Sequence, residues 1–222
     1  MNECRPLGPR LALVDWVTVS ALATAAGTLV LALATFAAVR SANRSARVAE
    51  RALLVGLRPM LMTSRPQDET QKVGFADSHW LRLPGGQAVA EVSGDVVYLA
   101  VSVRNVGTGI AVMHGWRFEP ELVRSHGEYP NPDEFTRLTR DLYVPIGEEG
   151  FWQGTFRDPS TPEFAAAKAV ADNHQAFTVE ILYGDVEGGQ RIVTRFALAP
   201  RSDEGWIATV SRHWYIDMPD PR

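Results

Sequence analysis

Between Asp15 and Arg40 lies a stretch of 24 residues, Trp16 to Val39, without a single ionisable side chain. As a helix rising ~1.5 Å per residue it reaches roughly 36 Å, more than the ~30 Å hydrocarbon core of a bilayer. Core helices of soluble proteins rarely run so long without a charge. The apolar part of a cleaved leader is much shorter, roughly 7–15 residues. The run is therefore expected to be an uncleaved transmembrane helix over 16–39, preceded by a short tail over 1–15. Arg5 and Arg10 precede it, whereas Arg40, Arg44, Arg47 and Arg51 follow it closely. By the positive-inside rule the C-terminal side is expected to be cytoplasmic and the tail outside. The reverse topology, with the larger domain exported, stays open.

The helix is expected to continue into water over 40–58, because RSANRSARVAERALLVGLR contains no proline and no run of β-branched residues. It should end at Arg58-Pro59, since proline disfavours the helical region for the residue before it. Arg40, Arg44, Arg47 and Arg51 are candidates for contact with anionic head groups, each contributing on the order of 1 kcal/mol near the surface. Val39, Ala42, Ala46, Ala49, Leu53 and Gly56 alternate at spacings of three and four, a heptad-like stripe of mostly small residues. Upstream, Ala23 and Gly27 sit four apart, with Ser20, Thr24 and Thr28 alongside. Small residues at this spacing allow close helix approach, so a seam through Ala23, Gly27, Ala42, Ala46, Ala49 and Leu53 would build a parallel homo-oligomer.

From Pro59 the pattern turns to alternation. Asp95–Asn105 places Val97, Leu99, Val101 and Val103 on one side, the mark of a half-buried strand. Ile110–Phe118 places Ile110, Val112, His114, Trp116 and Phe118 on one side. Further strands are expected at Met60–Ser64, Trp80–Leu83, Gly150–Phe156, Phe177–Tyr183, Arg191–Ala197 and Trp206–Tyr215. One helix is expected at Pro162–Asp172, with a capping-box spacing between Ser160 and Glu163. Ser125–Asp141, polar and carrying Pro130 and Pro132, reads as an excursion loop. About eight short strands with turns between them predict a mainly β domain over 59–222, an antiparallel, broadly immunoglobulin-like sandwich.

Two turn motifs stand out: Asn105-Val106-Gly107-Thr108-Gly109 after one strand, and Tyr183-Gly184-Asp185-Val186-Glu187-Gly188 after another. Together with the membrane run and the arginine-rich helix ending in Arg58-Pro59, they make the chain resemble a loose set of small bacterial single-pass membrane proteins. Those proteins carry a cytoplasm-side β-sandwich with N-x-G and Y-x-D-x-x-G turns. The resemblance implies fold and topology and carries no activity with it. Both motifs are themselves turn chemistry, since Asn and Gly tolerate positive φ and Asp bonds its own loop.

Little in the sequence speaks for catalysis. His79, His114, His126, His174 and His213 are scattered, without metal spacing or an H-E-x-x-H run. Gly107-Thr108-Gly109 lacks the rest of a dinucleotide fingerprint, and no G-x-S-x-G or P-loop occurs. The lone cysteine, Cys4, excludes a disulfide framework and a Cys-based zinc site. Asp185 and Glu187 flank a glycine-rich loop but lack calcium-loop spacing. No cofactor and no metal are expected.

The net charge of −4 divides into +4 over 1–58 and −8 over 59–222. Such a balance excludes the basic field of a nucleic-acid binder. The expectation is a membrane-anchored, non-catalytic binding or scaffolding protein with an unidentified protein partner. The alternative is an exported sandwich that binds a glycan or cell-surface polymer through aromatic residues such as Trp80, Trp116, Trp152, Trp206 and Trp214.

Overall fold

The computed structural model describes residues 16–123, 129–201 and 205–218. The tail over 1–15, with Cys4, Arg5 and Arg10, lies outside them, as do His126 and the first part of the Ser125–Asp141 segment. Contacts divide the chain into two units, Met1–Ala52 and Leu53–Arg222.

The first unit is most of one continuous helix, α1, Trp16–Gly56, 41 residues long. It is long and apolar enough to cross a membrane. Its few polar residues in the apolar run are satisfied within the helix. Thr24, Thr28 and Thr35 each donate to the carbonyl four residues back, at 2.8–2.9 Å, and Ser20 donates to Val17. These four hydroxyls are bonded inside the helix, as a hydrocarbon environment requires. The helix ends at Gly56, two residues before the expected stop. Leu57 closes it, donating to Leu53 O and Leu54 O.

The second unit is mainly β and antiparallel. Its strands are β1 (Leu61–Thr63), β2 (Gln71–Gly74), β3 (Trp80–Leu83), β4 (Gln87–Ser93), β5 (Val96–Asn105), β6 (Ala111–Glu119), β7 (Thr136–Val144), β8 (Glu149–Phe156), β9 (Phe177–Gly184), β10 (Arg191–Pro200) and β11 (Trp206–Tyr215). α2, Pro162–Asp172, lies between β8 and β9. Among the described residues nine strands form one folded-over sheet, ordered β1-β5-β4-β11-β10-β9-β6-β7 with β8 on β5, and β2 and β3 pair only with each other. One layer of the sandwich is β8, β5 and the β4/β1 edge; the other is β11-β10-β9-β6-β7. The layers are joined where Gln87–Ala88 of β4 pairs with Trp206–Ile207 of β11. Between them lie Val97, Leu99, Val101 and Val103 of β5, facing Met113, Val179, Ile181, Phe196 and Leu198.

Several expectations need correction. β5 is buried on both faces, not half-buried. The β2–β3 hairpin covers its outer side, packing Val73, Leu81 and Leu83 on Tyr98 and Ala100. Alternation does not predict β2 or β4: β2 is four residues long, and Gln87–Ser93 mixes small and polar residues. The described part of the polar segment expected as a loop up to Asp141 contains a 3-10 turn, Pro132–Glu134, and most of β7. β7 is an exposed edge strand, so its core-facing signal is weak.

The one-sided alternation of Ile110–Phe118 also fails. The register of β6 slips between Met113 and Gly115, so the inward residues are Ala111 and Met113 before the slip and Trp116 and Phe118 after it. A second slip in β11, opposite Arg195/Phe196, has the same effect. Trp206 faces the main core, while Trp214, of like parity, packs with Phe135, Leu182 and Val193 on the opposite face. A bulge inserts one residue and reverses the facing of all that follow.

α2 forms where expected and closes one end of the core with Phe164, Ala167 and Val170. Its cap is Thr161, whose Oγ1 accepts from Phe164 N at 3.2 Å, rather than Ser160, which bonds Asp158. His174, at φ 51°, ends the helix in the left-handed region, and Gln175 N donates back to Val170 O.

Two surface carboxylates tie the domain's stability to pH. Asp217 accepts from Arg191 at 2.7 Å, and this bond holds its carboxyl below the ordinary value of 3.8. The Tyr98 hydroxyl, with Arg157 beside it, does the same for Asp77. A carboxylate with a lowered folded-state pKa stabilises above its unfolded value and loses that contribution as pH falls below it. Thermal melts should thus be flat between about pH 7 and 5 and drop below about pH 4; Asp217→Asn should shallow the acid limb.

Candidate binding surfaces

The four arginines of α1 fall at i, i+4, i+7 and i+11, which places them within about 60° on one face at 100° per residue. They surround a common concavity with Val48. Ala42, Ala46, Ala49 and Leu53 lie on the opposite side, in line with Ser20, Thr24 and Thr28; Ala23 and Gly27 fall toward one flank. α1 therefore separates a guanidinium face from a small-residue face. Nothing approaches within 4 Å of where a Cβ on Gly27 would sit. If the small-residue face is a seam, Ala46→Cys in a Cys4→Ser background should give a disulfide-linked dimer in native membranes. A cysteine on the arginine face, at Arg47, should not. Equal yields at both positions would reject the seam.

Both turn motifs converge on residues 54–61, a function not legible from the sequence. Asn105 is wholly buried. Its Nδ2 donates to Gly109 O at 2.7 Å and Val144 O at 3.0 Å, while its Oδ1 accepts from Gly107 N and Met60 N. Thr108 N and Gly109 N donate to Arg58 O. Glycine is required here: a Cβ on Gly109 would lie 1.8 Å from Leu57 O, and one on Gly107 would lie 2.4 Å from Arg58 O.

From the other motif, Asp185 accepts from Gly189 N and from Gln190 Nε2. Gln190 then donates to Leu54 O at 2.5 Å, a helix-end carbonyl that Leu57 N also reaches, and accepts from Arg58 Nε at 3.0 Å. The Arg58 guanidinium covers the Tyr215 ring at 4.6 Å. Tyr183, the first residue of that motif, accepts from Leu61 N. Asp185 is thereby committed to its own loop, and Glu187 is exposed on the hairpin tip. Among the described residues no three His, Cys, Asp or Glu side chains gather as a metal site.

A third feature is a cleft where the folded sheet fails to close. Among the described residues β7 pairs only with β6, and β8 only with β5, so two strand edges face one another unpaired. The register of β7 against β6 jumps from Leu142 to Arg137, leaving residues 138–141 bulged out of the ladder. A cavity of about 230 Å³ results, with Arg137, Arg140 and Arg157 among its walls and Trp116, Leu142 and Phe75 supplying apolar surface. Gly154 is needed beneath it, since a Cβ there would stand 2.7 Å from the Trp152 ring and 3.3 Å from that of Trp116.

Of the domain tryptophans, Trp116, Trp152, Trp206 and Trp214 are buried and Trp80 is 55% exposed; Lys72 sits over its ring at 4.5 Å. Tyr129 and Tyr143 are also exposed. No protein-family model, curated protein or solved structure matches the chain.

Proposed function

We propose that this chain is a non-catalytic binding or scaffolding protein, anchored in a membrane by residues 16–39, with its sandwich on the cytoplasmic side. The observation that carries the reading is the composition of α1: an uncharged run in which Ser20, Thr24, Thr28 and Thr35 bond within the helix, followed at once by four arginines on one face. Arg40 and Arg44 lie about 2 and 8 Å beyond Val39 along the helix axis, at the depth of the phosphate layer. Arg47 and Arg51 lie about 12 and 18 Å beyond it. They are better placed for an acidic partner than for lipid. The −8 domain is repelled by an anionic leaflet, and beyond a Debye length of ~8 Å that repulsion is screened.

The lone cysteine supplies a test of sidedness. On intact cells a membrane-impermeant maleimide should label Cys4, while a cysteine placed on the sandwich at Ser93 of a Cys4→Ser chain should be labelled only after permeabilisation. The opposite pattern would reverse the topology and favour the exported, polymer-binding alternative. The burial of four of the five domain tryptophans weakens that alternative's aromatic platform.

A further inference from the structure

The geometry points to the β7–β8 cleft as a binding site for a small ligand bearing a carboxylate or phosphate on a single-ring apolar body. This assignment rests on the reading of the sandwich as a binding domain, though not on the anchor.

Charge is the first argument. Acidic residues outnumber basic ones by 23 to 15 over 59–222, and several arginines at described positions face a carboxylate. Arg104 faces Asp68 and Glu149, Arg117 pairs with Glu180 and Glu134, Arg191 with Asp217, and Arg195 with Glu180. Arg137 and Arg140 have none within ion-pairing distance among the described residues, yet both line one cavity. Arg157, on the same wall, is partly neutralised by Asp77 at 2.8 Å. Asp141 lies on the bulge but lines the neighbouring cavity instead, where Arg137 also reaches. An oxyanion between Arg137 and Arg140 would supply the counter-charge that the protein withholds, and guanidinium forks suit its geometry.

Shape is the second. At about 230 Å³ the cavity is smaller than the roughly 300–1,000 Å³ of drug-sized sites, so it admits one ring rather than a nucleotide. Its apolar surface comes from Trp116, Leu142 and Phe75. Thr155, also at the cavity, adds a hydroxyl.

Phenyl phosphate titrated against the full chain in detergent micelles tests this, read by tryptophan fluorescence because Trp116 lines the cleft. Saturable binding below about 10 mM is expected, with benzyl alcohol giving none and inorganic phosphate binding at least tenfold more weakly. Arg137→Gln/Arg140→Gln should weaken phenyl phosphate at least tenfold with the circular dichroism spectrum unchanged, and Arg82→Gln, on β3, should leave it as in wild type. Absence of saturation, or equal affinity in wild type and the double variant, would overturn the assignment. Equal affinity for inorganic phosphate would also overturn it, since the ring would then contribute nothing. None of these results depends on membrane sidedness, so this site and the anchor fail separately.

Discussion

Replacing Asn105 with alanine is expected to lower the stability of the sandwich by roughly 3–5 kcal/mol. At the ~2–4 °C per kcal/mol typical of a domain this size, the melting temperature should fall by about 10 °C or more. The size follows from the number of groups stranded at once. Asn105 is fully buried, and its removal leaves the carbonyls of Gly109 and Val144 and the N–H groups of Gly107 and Met60 without that partner. An unmade buried hydrogen bond costs about 1–3 kcal/mol, and here the loss also opens a cavity. Gly109→Ala should be as damaging for a different reason, because its methyl would coincide with Leu57 O. Thermal and urea melts of the detergent-solubilised chain would check both. A loss under about 1 kcal/mol for Asn105→Ala would mean that the collar around residues 54–61 is not held by this side chain.

The second large effect is expected at Glu180, whose side chain is 1% exposed. Its Oε1 accepts from Arg195 Nε at 2.6 Å, and its Oε2 from Arg117 Nε at 3.0 Å. Arg195 is itself buried, with Trp214 stacked 4.7 Å from its guanidinium. Glu180→Ala leaves that cation in low dielectric without a counter-ion, at a cost of about 3–5 kcal/mol. The pair is not expected to be worth that much in itself, since burying two charges costs nearly what their attraction returns. Glu180→Leu with Arg195→Met should therefore recover most of the loss, packing against Trp214 in place of the ion pair. A double variant as unstable as Glu180→Ala would show that the pair contributes strongly and that the penalty is not chiefly the stranded arginine.

What the sequence reveals and what it hides have physical causes. The apolar run, α2 and the central strands were legible because each buries a regular face, and periodicity reports such faces. Sites where the chain departs from period two were not legible: the slips at His114 and Ser211 put Trp206 and Trp214 on opposite faces despite their matching parity. β7 was hidden because an exposed edge strand needs no apolar alternation. The two turn motifs could be seen as turns, but their grip on Leu54 to Leu61 joins residues more than 40 positions apart. The cleft depends on which strands fail to pair, which no local pattern records. Gly107 and Gly109, read from the sequence as tolerating positive φ, do not adopt it; they are needed because a backbone passes too close for a Cβ. The grouping of Arg40, Arg44, Arg47 and Arg51 on one face, by contrast, was already written in their spacing.

Membrane fractionation of the full chain tests the central claim most directly. The chain should sediment with membranes, resist alkaline carbonate and high salt, and enter solution only with detergent, while a chain lacking residues 16–39 should stay in the aqueous fraction. Recovery of the full chain in the aqueous fraction without detergent, or a mature chain that begins after Val39, would contradict it.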